Sequence, residues 1–172
     1  MATNKTRFVR NMDGASEPFI ILGKFQAGST QAIKRGELLE FTGDTNTAWV
    51  PLDSDFDMDS NIAIANEEIK AGDLAGYYEV IVPRPSDIFE YDLAAAGSTA
   101  YGTSLYYSSS EAVTVTAGTY IIGTAVGQTN YPRQGHASDD ASGDAGSTIK
   151  SQSTVQMTIE SSNSIYSALQ TG

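Results

Sequence analysis

No cysteine occurs in the 172 residues. Its absence excludes disulfides, thiolate nucleophiles and thiolate metal sites, and argues against a small secreted scaffold held by bridges. There is one histidine, His136, so neither a multi-histidine metal centre nor a paired imidazole can be built. Beside Asp139 and Asp140 it offers a weak metal site, but a solvated loop histidine is the simpler reading. No apolar run approaches about 18 residues, and the leading MATNKTRFVRNMDG has no apolar h-region, so neither a transmembrane helix nor a signal peptide is expected. The sequence implies no membrane partner and a chain that is soluble and intracellular when made. G-x-x-x-x-G-K-[ST] is missing, G-x-G-x-x-G does not open a helix, and G-x-S-x-G does not occur. Nucleotide binding and serine hydrolysis therefore find no support, no cofactor is implied, and no residue presents itself as catalytic.

Positive charge is scarce as well. The net charge is −11, from 10 bases and 21 acids, and it is unevenly laid out. Residues 1 to 40 carry six bases (Lys5, Arg7, Arg10, Lys24, Lys34 and Arg35) against four acids, while the remainder carries 4 bases against 17 acids. An acidic body repels phosphate backbones, because nucleic-acid affinity comes mainly from Lys and Arg displacing counterions, so no nucleic-acid partner is expected. A mildly basic leading segment on an acidic body suits an arm that reaches onto a neighbouring surface.

What the chain does have is a succession of short runs rich in β-branched and aromatic residues, punctuated by Gly, Asn, Asp and Ser. With 172 residues it makes one ordinary domain, long enough to bury roughly two thirds of the surface its unfolded form exposes. About nine strands are predicted, at residues 18–25, 37–43, 47–52, 61–65, 77–83, 87–93, 103–107, 119–127 and 154–160. In DIFEYDL, Phe89, Tyr91 and Leu93 fall on one face and Ile88, Glu90 and Asp92 on the other; in TVQMTIE, Val155, Met157 and Ile159 alternate with polar neighbours. The expected fold is all-β, a compact barrel or sandwich of mostly antiparallel strands. Residues 1–16 read as a flexible polar arm, and residues 17–172 as a single β-domain. Within it QGHASDDASGDAGST, 134–148, lacks large apolar residues and reads as a long exposed loop. Only short helices are conceivable, in EEIKAGDLAG, which two glycines break, and in SIYSAL near the end.

The stretch LDSDFDMDS sets Asp53, Asp55, Asp57 and Asp59 at every second position. An EF-type calcium loop needs Gly at position 6 and Glu at position 12. Counted from Asp53 those positions hold Met58 and Ile64, and from Asp55 they hold Ser60 and Asn66, so both frames fail. Acid–base catalysis by paired carboxylates needs two contrasting environments, which four acids on one side of an extended segment do not offer. The aspartates are read as a solvated face opposite inward Phe56 and Met58, with a weak divalent-ion site or a salt-bridged contact as the other readings. Trp49, Tyr77, Tyr78, Tyr106 and Tyr107 would suit a carbohydrate platform, although aromatics in strands more often serve a core or a subunit interface.

The succession GELLEFTGDTNTAWVPLDSDFD, IKAGDLAGYYEVIVPRPSDIFEYDLAAAGSTAYGTSLYYSSSEAVTV, AGTYIIGTAVGQTNYP and TVQMTIE resembles the head decoration, or cement, proteins of tailed bacteriophages. The likeness spans most of residues 18–160 and rests on turn glycines and strand patterns; the acidic 134–148 loop departs from the simplest members. The resemblance implies a structural virion protein without enzymatic role, made in the host cytoplasm and bound to the outer capsid surface. There it would bridge neighbouring major capsid protein subunits, often as a homotrimer. On this reading Lys5, Arg7, Phe8, Val9 and Arg10 form a capsid-binding arm that adds an edge strand to the coat protein, and the loop acids Asp139, Asp140 and Asp144 face solvent. Deleting residues 1–10 is then expected to leave the β-domain folded. The alternatives are a glycan- or receptor-binding head-fibre or adhesin module, and a small hydrolase with an acidic site around Asp55.

Overall fold

The computed structural model describes residues 7–25, 32–44, 47–54, 61–73, 76–97, 99–127 and 152–160. Within them the chain is all-β, with eleven strands and no helix. The strands are β1 (Phe8–Asn11), β2 (Ile20–Lys24), β3 (Leu38–Asp44), β4 (Thr47–Pro51), β5 (Ile62–Ala65), β6 (Tyr77–Ile81), β7 (Asp87–Gly97), β8 (Ser104–Ser109), β9 (Ala112–Thr114), β10 (Ile121–Gly127) and β11 (Gln152–Ile159). Nine of them fall on the predicted runs. β1 and β9 are additional, being too short and too polar in their surroundings to stand out by alternation. EEIKAGDLAG forms no helix over its described residues: Ile69 makes an antiparallel bridge to Ile33, and Gly72 turns the chain at φ +93°. SIYSAL, the 134–148 loop with Asp139, Asp140 and Asp144, and His136 lie outside the described residues.

The strands form two sheets, each bent towards a ring of five. In the first the order is β7-β11-β10-β8-β9, and β9 returns to pair with β7. All these pairings are antiparallel except the closing one, Asp92 with Ala112 and Leu93 with Val113, which is parallel. An odd ring requires this, because directions that alternate around five strands must repeat once. The second sheet, β2-β6-β5-β3-β4, is antiparallel throughout, and its two edge strands are brought together at a parallel bridge between Phe25 and Trp49.

Two apolar clusters follow from this arrangement. Phe89, Tyr91, Leu105, Val113, Ile122, Val155, Met157 and Ile159 of the first sheet pack with Leu38, Leu52, Ile62, Ile64 and Ile81 from the second. Phe25, Leu39, Trp49, Ala63, Ala65 and Val80 form a cluster on the opposite face of the second sheet. β5 therefore has no wet side, and all four of its residues are buried. Its sequence, IAIA, answers the two environments: isoleucines fill the space between the sheets, and alanines leave room for the indole of Trp49 and the ring of Phe25. Alternation behaves as expected in β11, where Val155, Met157 and Ile159 are buried and Thr154, Gln156 and Thr158 are half-buried.

Gly23 in β2 shows how tightly the second sheet is drawn together. A Cβ there would collide with Nε1 of Trp49 and come within 2.9 Å of Cγ2 of Val80. The indole thus occupies the space that any other residue would need. Gly23→Ala is expected to destabilise the domain by about 1–3 kcal/mol through overpacking, measured by urea denaturation with the slope unchanged.

Candidate functional site

The expected arm begins differently from its prediction. Residues 7–11 are part of the domain: β1 pairs antiparallel with β7, Phe8 opposite Phe89 and Asn11 opposite Asp87, with a register shift around Val9. Phe89 pairs with both Phe8 and Met157, and Asp92 with both Ala112 and Thr154, so β1 and β9 share one edge of β7 while β11 occupies the other. Arg7 lies where β1 ends and β9 begins. Its backbone carbonyl accepts from the Glu90 N–H at 2.8 Å.

Arg7 is 4% exposed and is the only buried cation among the described residues. Nε donates to the Gly36 carbonyl at 3.2 Å, Nη1 to the Glu90 carbonyl at 3.3 Å and to Asp92 Oδ2 at 3.4 Å, and Nη2 to the Glu111 carbonyl at 3.2 Å. The guanidinium also lies 4.5 Å from the centre of the Tyr91 ring, and the Tyr91 hydroxyl donates to the same Gly36 carbonyl at 3.1 Å. Gly36 turns at φ +91°, in the region that favours glycine, and so delivers its carbonyl to both donors. A planar fork with five N–H donors suits this spread of acceptors, and an ammonium does not. Arg7 and Phe8, which packs edge-on against Phe89 at 5.9 Å, therefore face the protein itself. Of the segment read as an arm, Phe8–Asn11 form the strand β1.

Around this cation stand further polar groups that the sequence did not flag. Glu37 is buried, and its carboxyl is held above the usual carboxylate range by burial and by the negative charge of Glu111; a backbone hydrogen bond at Lys34 and the charges of Lys34 and Arg7 partly offset this. Lys34 Nζ donates to Glu111 Oε1 at 2.8 Å, and that hydrogen bond raises the ammonium pKa. At the other end of β1, fully buried Asp87 accepts from Arg84 Nη2 at 2.9 Å, from the Arg84 N–H at 3.0 Å and from Asn11 Nδ2 at 2.7 Å. β1 is thus fixed at both ends by buried charge.

The remaining candidates are dispersed. Val9 and Arg10 are exposed on β1, and Lys5 lies outside the described residues. Asp53 is exposed; its charge and the charge of Glu40 raise the Tyr107 hydroxyl, after burial, and burial and Asp53 raise Glu40. Asp55, Asp57 and Asp59 lie outside the described residues, and among those described no group of three or more His, Cys, Asp or Glu is placed to hold a metal ion. Of the proposed aromatic platform, Trp49 is in the second cluster, Tyr78 packs against that cluster and Tyr107 against the first. Tyr77 and Tyr106 belong to different sheets. No protein-family model matches the chain, and no curated protein or solved structure is significantly similar to it.

Two outcomes follow from the buried charges. Arg7→Ala is expected to cost about 3 kcal/mol or more in chemical denaturation, because it strands buried acceptors, and Arg7→Lys is expected to recover only part of the loss. Glu37 and Glu40 hold their protons in the folded chain over a pH window in which the unfolded chain has already lost them, so their contribution to stability falls as pH rises through that window. Glu37→Gln is accordingly expected to raise the melting temperature near pH 7 and to have little effect below about pH 4.

Proposed function

We propose that this chain is a non-enzymatic structural virion protein that binds the outer surface of a phage capsid and stabilises it by bridging neighbouring major capsid protein subunits. The observation that carries the reading is the position of β1. Among the described residues it is the terminal strand of its sheet, with one backbone edge on β7 and no strand paired to the other, and it is secured at each end by Arg7 and Asp87. An edge of this kind accepts a strand from another protein, main-chain hydrogen bonds supplying affinity and alternate side chains supplying selectivity. The side chains offered there are Val9 and Arg10, both exposed, while Arg7 and Phe8 act from inside. Arg10, a cation on an acidic protein, gives the edge a sign opposite to that of the body.

Pressure from packaged DNA acts on every joint of a shell, and a part that spans two capsomers adds buried area where the shell would open. A specific contact of this kind buries on the order of 1,600 Å², and several weak contacts on one particle become durable through avidity. The chemistry asked of the protein is surface complementarity alone.

The test is co-sedimentation of purified protein with expanded capsids that lack it. The wild-type chain is expected to saturate a fixed number of sites, and the double substitution Val9→Asp with Arg10→Glu to bind at least tenfold more weakly while melting like wild type. Failure of the wild-type chain to sediment with shells, together with binding to a host-cell glycan, would replace this reading with the adhesin one.

A further inference from the structure

Asp13 and Gly14 form the only Asp-Gly pair in the chain, and no Asn-Gly occurs. Both residues are exposed, in the turn that leaves β1. Gly14 has φ +96°, and a Cβ added to it would meet nothing within 4 Å, so this side of the turn is open. Asp13 is held at two points. Its N–H donates to Asn11 Oδ1 at 2.7 Å, and Asn11 is itself fixed by Nδ2, which donates to fully buried Asp87 at 2.7 Å. Its carboxyl oxygen Oδ2 accepts from the Ser86 hydroxyl. Ser86 is kept beside the turn by its carbonyl, which accepts from the Met12 N–H at 2.9 Å. The Gly14 N–H, by contrast, makes only a long bond, to the Asn11 carbonyl at 3.3 Å.

The amide nitrogen that follows an aspartate can close a five-membered ring on that residue's Cγ, and glycine, lacking a Cβ, obstructs the approach least. Such an attack is helped when its partners are held close and a donor faces the carboxyl oxygen on which charge develops. Here Asn11 holds the main chain of Asp13, Ser86 holds and polarises its carboxyl, and the attacking nitrogen is weakly engaged. We propose that Asp13–Gly14 is a site of self-modification, where a succinimide forms with the help of the Ser86 hydroxyl and opens to an isoaspartyl linkage. The Gly14 nitrogen bonds to Cγ of the Asp13 carboxylic acid, and a Cγ–O bond breaks. The oxygen departs as water, carrying the acid's own proton and the proton of the Gly14 nitrogen. Water then opens the ring. Cleavage between the nitrogen and the Asp13 main-chain carbonyl carbon leaves the chain running through Cγ with a free α-carboxylate, and cleavage at Cγ restores aspartate. No reactant other than water takes part, and the final mass is unchanged. The isoaspartyl form carries one extra methylene in the main chain between Met12, bonded to Ser86, and Glu17, whose carbonyl accepts from Arg84 at 2.7 Å. The inference is independent of the capsid reading.

The experiment incubates the full folded chain in mildly acidic buffer, beside a synthetic peptide of residues 11–24. Trypsin releases the same peptide from the protein by cutting after Arg10 and Lys24, so the two are compared directly by chromatography and mass spectrometry. The expected product is an isomer of 11–24 with unchanged mass, assigned to Asp13 by electron-transfer fragmentation of its Cα–Cβ bond. It is expected to accumulate faster in the folded chain than in the free peptide, preceded by a form one water lighter. Asp13→Glu, which would need a six-membered ring, is expected to yield none. Ser86→Ala is expected to slow conversion about fivefold, the worth of one hydrogen bond, and Ser86→Thr, which keeps the hydroxyl, to convert like wild type. The proposal is overturned by absence of the isomer from the folded chain, or by its appearance at another aspartate instead. Slower conversion in the folded chain than in the peptide also overturns it, since the turn would then protect Asp13, as does a Ser86→Ala chain that converts at the wild-type rate.

Discussion

The guanidinium of Arg7 is the point at which the first ring, the first strand and the second sheet meet. Its acceptors come from the turn before β3, from the middle of β7 and from the start of β9, so one side chain ties together segments far apart in sequence. Burying a cation is costly unless it is hydrogen-bonded and paired, and here both conditions hold. The consequence is a site that tolerates little change. Were the cation absent, the Glu90 and Glu111 carbonyls would lose this donor and the Gly36 carbonyl would keep that of Tyr91, at a place where β1 and β9 lie side by side on one edge of β7.

That shared edge explains the rest of the topology. A ring of five strands has one parallel joint, and parallel neighbours cannot be linked by a tight hairpin. β9 reaches β7 through β8 and is only three residues long, so its hold on β7 is slight by itself. Arg7, Leu93 and Val113 reinforce it from opposite sides: the cation through the Glu111 carbonyl, and the two apolar side chains through the first cluster. The second sheet solves the same problem without a charge, letting Trp49 enter the space that Gly23 leaves open. The first ring is thus closed beside a polar contact, and the edges of the second sheet meet at a single bridge beside a steric one.

Much of the fold was legible in sequence because a period of two and abundant turn residues are local signals. DIFEYDL and TVQMTIE show their inward faces directly, and the predicted strands from PFIILGKF onward are present. β9 escaped because three residues carry no period, and β1 because FVRN mixes an inward Phe8 with outward Val9 and Arg10 around a register shift. The polar site was less legible. Nothing in the letters around Arg7 separates a buried arginine from a solvated one, since the difference lies in acceptors supplied from residues 36, 90, 92 and 111. A basic residue in the leading segment was read as part of an arm, and its side chain is buried among acceptors of the domain.

The attachment of β1 to β7 also sets how the domain answers force. A pull on Arg7 directed along β1 strains the bonds between β1 and β7 together in shear, and it is met at once by the guanidinium and its four acceptors. A pull at right angles to the sheet edge would open those bonds one after another. The joint between β1 and β7 accordingly resists a pull along the strand better than a pull across it.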